Sequence, residues 1–162
     1  MDKMKGAIVE QTTGTPIPAL GHIGLNVSDL NRSREFYQAI FGLRPMGGAD
    51  TGAHRYAFLG DGQQVTLTLW QQSSGRFSTQ APGLHHLALA LPEVGDLERL
   101  EQILRARQVP IFYEGIVPHA EGGDSAALYF EDPDGLRIEV FTPHGGAGRA
   151  AVAGAAPACG FF

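Results

Sequence analysis

The chain carries one hydrophobic pattern twice. GHIGLNV (21–27) alternates strictly, with Ile23, Leu25 and Val27 on one face, and HHLALAL (85–91) repeats it with Leu87, Leu89 and Leu91. A charged amphipathic helix is predicted after each strand. In SDLNRSREFYQAIFG, Ser28 is the expected N-cap, Leu30, Tyr37, Ile40 and Phe41 form the apolar stripe, and Gly42 is the C-cap. In PEVGDLERLEQILRARQ, Pro92 opens the helix and Val94, Leu97, Leu100 and Leu104 form the stripe. Strand pairs follow in both halves. HRYAFLG (54–60) turns at Asp61-Gly62 into QQVTLTLWQ (63–71), and SAALYFE (125–131) turns through Asp132-Pro133-Asp134-Gly135 into LRIEVFT (136–142). A strand is also expected at IFYEG (111–115), with a weakly written counterpart near 43–50. These elements predict an α+β fold of two tandem βαβββ modules, 19–72 and 83–143, within one domain spanning 19–143. Residues 1–18, ending in TTGTPIP, read as an extended N-terminal arm. Residues 144–162 are a Gly/Ala-rich tail with an apolar tip, Phe161-Phe162. The tail is either flexible or docked on a partner subunit or over a pocket.

Alternation also decides what the opposite strand faces carry. The first strand presents His22, Gly24 and Asn26, and strand 63–71 presents Thr66, Thr68 and Trp70. Strand 85–91 presents His86, Ala88 and Ala90, and the last strand presents Arg137, Glu139 and Phe141. Burying two imidazoles and a carboxylate without partners is costly, and a metal ion removes that cost. A single histidine is an ordinary core or surface residue. Two at equivalent steps of a repeat, with Glu139 on the last strand, are the two-His-one-carboxylate set suited to non-haem Fe(II) with open coordination positions. The same donors suit Mn(II), Ni(II) or Zn(II). Asn26, Thr68, Trp70, Arg137 and Phe141 share these faces and are the candidates for substrate contact.

Composition narrows the class. At 162 residues the chain is one domain's worth, and 43% apolar with 18% charged residues excludes a wholly disordered chain. No apolar run approaches the roughly 18–20 residues of a membrane span. The start MDKMKGAIVEQ lacks the apolar core of a secretory signal, so a cytoplasmic protein with no membrane partner is expected. A net charge of −5 argues against nucleic acid as a partner. Cys159, the single cysteine, permits neither an intramolecular disulfide nor a CxxC metal site.

GHIGLNVSDLNRSREFY, LHHLALAL and LYFEDPDGLRIEVF together resemble the vicinal oxygen chelate superfamily over about residues 19–143. That superfamily includes glyoxalase I, fosfomycin-resistance thiol transferases, bleomycin-binding proteins and extradiol ring-cleaving dioxygenases. The resemblance implies a curved, cup-like mixed sheet with helices outside, holding one divalent metal per chain. Its ligands map onto His22, His86 and Glu139. A fourth position on the last strand of module one carries Glu in glyoxalase I. Here it falls on Thr66 or Thr68, which sets the lyase reaction behind the three-ligand classes. Val117-Pro118-His119, Leu128-Tyr129, Asp132-Pro133-Asp134-Gly135 and Glu139 resemble the extradiol signature, with the gap from His119 to Leu128 one residue longer than usual. The resemblance therefore implies a metal-dependent oxidoreductase that cleaves a catechol with Fe(II) and O2, in which His119 and Tyr129 serve as catalytic residues. His54, His85 and His144 remain as candidates for a further acid–base group. The alternatives are a glyoxalase-like lyase or isomerase, a fosfomycin-type thiol transferase, for which AEGGDS (120–125) loosely resembles a cation-binding loop, and a metal-free drug-binding resistance protein. A homodimer or higher homo-oligomer is expected, since an open cup leaves sheet edges free to pair.

Overall fold

The computed structural model describes residues 17–152 and 158–160. The N-terminal arm before residue 17 and the Phe161-Phe162 tip lie outside the described residues. Module one runs β1 (Ile23–Val27), α1 (Leu30–Phe41), β2 (Arg44–Ala49), β3 (Tyr56–Gly60) and β4 (Val65–Gln71). Module two runs β5 (Leu87–Ala90), α2 (Val94–Ala106), a 3-10 turn (Phe112–Glu114), β6 (Val117–Pro118), β7 (Ala126–Glu131) and β8 (Arg137–Thr142). Each module makes a four-stranded mixed sheet, with orders β1-β4-β3-β2 and β5-β8-β7-β6. In both, the first strand pairs parallel with the last, so the sequence repeat is a repeat of topology.

The α+β fold of paired βαβββ units is as the pattern predicts. Leu25 and Val27 of β1, Leu67 and Leu69 of β4, and Ile138 and Val140 of β8 enter one core with Leu30, Tyr37, Leu97 and Leu104 of the helices. Both sheets thus turn one set of alternate side chains into a shared, helix-filled interior, and their other faces point away from it. Phe130 of β7 packs on Phe36 and Phe41 of α1, at centroid separations of 6.4 and 6.3 Å, which locks the modules together.

The N-cap of α1 is Asp29, whose carboxylate accepts from the Arg32 amide at 3.0 Å, and not Ser28. Ser28 is engaged across the module boundary instead. Its amide and hydroxyl both donate to the Asp134 carboxylate, at 2.8 and 2.5 Å, and Arg32 joins them at 2.5 Å. The Asp-Pro-Asp-Gly turn of module two is therefore fastened to the strand–helix junction of module one. The expected strand at 111–115 is also absent. Only Ile111 bridges to β7, opposite Phe130, and the chain then bends through left-handed conformations at Tyr113 (φ 59°) and Glu114 (φ 64°). Arg105 of α2 holds that bend by donating to the Glu114 carbonyl at 2.6 Å. Each such non-glycine residue costs on the order of 1–3 kcal/mol. Conversely, the weakly written segment near 43–50 is a true strand, β2, paired antiparallel with β3 through a bulge at Pro45/Gly47.

Tyr37, fully buried on α1, donates its hydroxyl to Asp132 at 2.9 Å. Burial, and then the Asp132 charge, raise its pKa well above 10.0. A group whose folded pKa is raised contributes stability that is complete below its unfolded pKa and lost as pH climbs above it. Stability should therefore fall beyond about pH 10, more steeply than in Tyr37→Phe by up to ~1.4 kcal/mol per pH unit. Urea denaturation of both proteins between pH 8 and 11 measures the difference. Equal slopes would show that Tyr37 ionises as freely folded as unfolded.

Candidate functional site

The outer face of sheet two gathers three of the expected groups. Glu139 projects from the middle of β8 and is 4% exposed. Its Oε2 lies 3.0 Å from Nε2 of His86, the residue just before β5, and β5 pairs with β8 through Ala88 and Glu139. Its Oε1 lies 2.6 Å from Nε2 of His119, which follows β6. An ionised carboxylate only accepts, so His119 donates from Nε2. A neutral His119 then leaves Nδ1 to accept the Ser125 hydroxyl at 2.9 Å. The imidazole is thus fixed at both nitrogens.

Tyr129, opposite Glu139 in the β7–β8 register, is fully buried and meets the His119 ring edge-on at 6.4 Å. Phe141, two residues along from Glu139 on the same face, meets it at 5.9 Å. Arg137 stands half-buried at the start of β8, paired in register with Glu131.

The remaining candidates lie on module one. His22 sits exposed just before β1 and lines a separate cavity of about 330 Å³ with Phe58, Val65, Thr68 and Trp70. Thr68 is buried and accepts from the Trp70 indole at 3.2 Å. Trp70 stacks on Tyr56 at 4.9 Å and meets Phe58 edge-on, so an aromatic shelf stands beside His22. Asn26 is elsewhere: its side-chain oxygen accepts from the Gln72 amide at 3.0 Å, and it lines the cleft at the module junction with Asp132 and Asp134. Within one chain the structure brings His86, His119, Tyr129 and Glu139 together and does not bring His22 to them.

Whether these donors suit a metal follows from their spacing. An ion about 2.1 Å from two neighbouring ligand atoms holds them roughly 3.0–3.4 Å apart. The 3.0 Å between His86 Nε2 and Glu139 Oε2 meets that requirement. With His119 engaged on Oε1, Oε2 is the oxygen directed to an ion. The pair could supply two ligands to an ion. Among the described residues no group of three or more His, Cys, Asp or Glu is arranged to hold an ion within the single chain.

Sequence reasoning missed one group here and gave a second, the spare His85, no place. Ser125 orients His119, and His85 places Nδ1 2.8 Å from Nδ1 of His86. The adjacency of His85 to His86 was the only sequence signal for the second. Nothing in the spacing marked Ser125. Of the other spare histidines, His144 donates to Asp124 at 2.8 Å, and this bond, with the Gly145 amide, holds the Asp124 pKa below its ordinary value.

Residues 19–140 match the family described as the Glyoxalase/Bleomycin resistance protein/Dioxygenase superfamily. The chain is 32% identical over 125 residues to the catechol-2,3-dioxygenase of Bacillus subtilis (strain 168), with 75% of this chain but 40% of that protein covered. It is 30% identical over 124 residues to the glutathione transferase FosA of Serratia marcescens, with 76% of this chain and 80% of that protein covered. The chain therefore spans about two-fifths of the dioxygenase's length and most of the transferase's. The crystal structure of a glyoxylase/bleomycin resistance protein/dioxygenase domain from Frankia sp. EAN1pec superposes with a TM-score of 0.68 at 21% identity, covering 83% of this chain and 98% of that one. The repeated βαβββ topology, the match over most of the chain and these relatives lead to one conclusion: the chain belongs to the Glyoxalase/Bleomycin resistance protein/Dioxygenase superfamily.

Proposed function

We propose that the protein is a metal-dependent enzyme, an extradiol-type dioxygenase that opens the ring of a catechol with Fe(II) and O2. The observation that carries this reading is the His119–Glu139–His86 array beside Tyr129. The chemistry a bound Fe(II) ion supplies is the electron transfer that lets a diol react with dioxygen. His86 and Glu139 hold the ion. His119 steadies the ligand carboxylate through Oε1 and serves as the acid–base group of the site. Phe141 excludes water from that side of His119, and Arg137 stands on the same face to meet an anionic group on the substrate. The third ligand is His22 of a second copy. The outer face of sheet one, with Trp70 and Thr68 as the shelf for the substrate ring, is laid against the outer face of sheet two in a homodimer.

Anaerobic reconstitution with Fe(II), followed by air and a panel of catechols, tests the reading. One ion per chain, oxygen uptake and the absorbance of a ring-opened product are expected. A fully loaded protein that consumes no oxygen with any catechol would end it. His22→Ala should lower bound metal well below one per chain. The sedimentation mass should be twice the 17.3 kDa of the chain. His119→Ala should bind metal about tenfold more weakly and, once saturated with Fe(II), turn over about 10²-fold more slowly. An unchanged rate would make His119 a loop residue only.

A second reading is favoured by the coverage of the glutathione transferase, 80% against 40% for the dioxygenase. Under it the same ligands hold Mn(II) and the substrate is a small epoxide attacked by a thiol. Formation of a glutathione adduct of fosfomycin by the Mn(II)-loaded protein, with no reaction toward catechols, would select it.

A further inference from the structure

The face that carries His119 is not open on all sides. Ala158 is 2% exposed and belongs to a small apolar cluster with Val117, Ala127 and Tyr129, separate from the main core. Its backbone is held at both polar atoms. Its amide donates to the His119 carbonyl at 3.0 Å, and its carbonyl accepts the Tyr113 hydroxyl at 2.9 Å. Tyr113 reaches it because the chain leaves the strand path at that residue, in the left-handed conformation that Arg105 secures through Glu114. The Tyr113 ring also meets Tyr129 edge-on at 5.4 Å. Strained backbone of this kind persists where the surroundings over-determine it, and it gathers at functional sites. Here it aims one hydroxyl at one carbonyl of a segment more than forty residues away.

We infer that Ala158, clamped by Tyr113, forms a wall of the site on the His119 side and sets the size of the ligand that the site admits. Among the described residues, the polar contacts of Ala158 run to the His119 carbonyl and the Tyr113 hydroxyl. The size-selecting role rests on the diol-binding reading above, whereas the wall itself does not.

The test uses the full chain, a variant lacking residues 158–162, and Tyr113→Phe, which keeps the ring and removes the hydroxyl that holds the Ala158 carbonyl. All are checked for folding by circular dichroism and thermal melting. Carbethoxylation by diethyl pyrocarbonate, read peptide by peptide by mass spectrometry, reports access to His119 against exposed His54 and needs neither metal nor substrate. The His119 rate should rise about tenfold relative to His54 in the deletion and severalfold in Tyr113→Phe. Unchanged rates in both folded variants would overturn the wall. Mn(II) affinity should stay within about twofold of wild type, since the ligands are untouched. Metal-loaded proteins are then titrated with catechol and with 4-tert-butylcatechol. Wild type should favour the smaller diol by at least tenfold, and the deletion should erase most of that preference. If His119 opens while the preference is unchanged, Ala158 covers the site without selecting ligands and the size-selecting role is overturned. If wild type binds neither diol, the diol reading fails, and the carbethoxylation rates still decide the wall.

Discussion

Glu139→Gln should abolish turnover and lower metal affinity by at least about 100-fold. Those are the largest functional effects expected of any single substitution in this chain. Outer partners of metal ligands already cost 10–100-fold in affinity, so losing a ligand's charge costs more. The loss of charge stabilisation by a bound ion is worth several kcal/mol, or at least about 10³ in rate. The carboxylate presents two accepting oxygens, one to His119 and one beside His86. An amide of the same shape has one, so it cannot satisfy His119 and bind an ion as an anion. Metal analysis after gel filtration, together with oxygen uptake at saturating Fe(II), measures both effects. Glu131→Gln, at the end of β7 where the side chain pairs with Arg76 of the β4–β5 connection, is the control and should behave as wild type. Full metal retention by Glu139→Gln would remove Glu139 from the ligand set.

Asp132→Ala should be the most destabilising polar substitution. The carboxylate is 5% exposed and accepts from the Asp134 and Leu136 amides, at 2.9 and 2.8 Å, and from the Tyr37 hydroxyl. Truncation leaves three buried donors without an acceptor. At about 1–3 kcal/mol each, the sum is on the order of 3–9 kcal/mol, a large part of a domain's 5–15. It would also loosen the turn that carries Asp134 to Ser28, and with it the docking of one module on the other. Asp132→Asn should be mild, within about 1 kcal/mol. It keeps the oxygen that serves the two amides, and the Tyr37 oxygen can accept from its NH2. Desolvation already raises the Asp132 pKa, so a neutral side chain there sheds a burial cost. Midpoints of urea denaturation separate the two variants. Equal loss in both would mean that the charge, rather than the accepting geometry, holds the turn.

Much of this architecture was legible in the sequence because period and topology repeat together. The stripes Leu30, Tyr37, Ile40 and Leu97, Leu100, Leu104 are buried, and the alternation in β4, β7 and β8 sends the expected residues inward. What escaped depends on partners distant in sequence. Ser28 looks like a helix cap, and loses that place to Asp29 because Asp134, 106 residues away, claims it. IFYEG has strand composition, yet Arg105 and Ala158 together favour a left-handed turn that no local propensity announces. The site was legible to the same extent. Phase in the repeat placed His86 and Glu139 on adjacent strands, where they meet. The same phase argument placed His22 beside them, but phase within a strand says nothing of which way two sheets face. The shared core turns the two sheets outward on different sides of the chain.

That outward-facing arrangement has a genetic consequence. If a working centre takes His22 from one copy and His86 with Glu139 from another, two dead proteins can rescue each other. In a dimer of His22→Ala with Glu139→Gln, one centre collects both lesions and the other collects none. Equal mixing of unfolded chains and refolding gives half the dimers this composition, so about a quarter of the centres are intact. Two alleles that are each silent alone would restore growth or colour when expressed together, and two lesions in the same module would not.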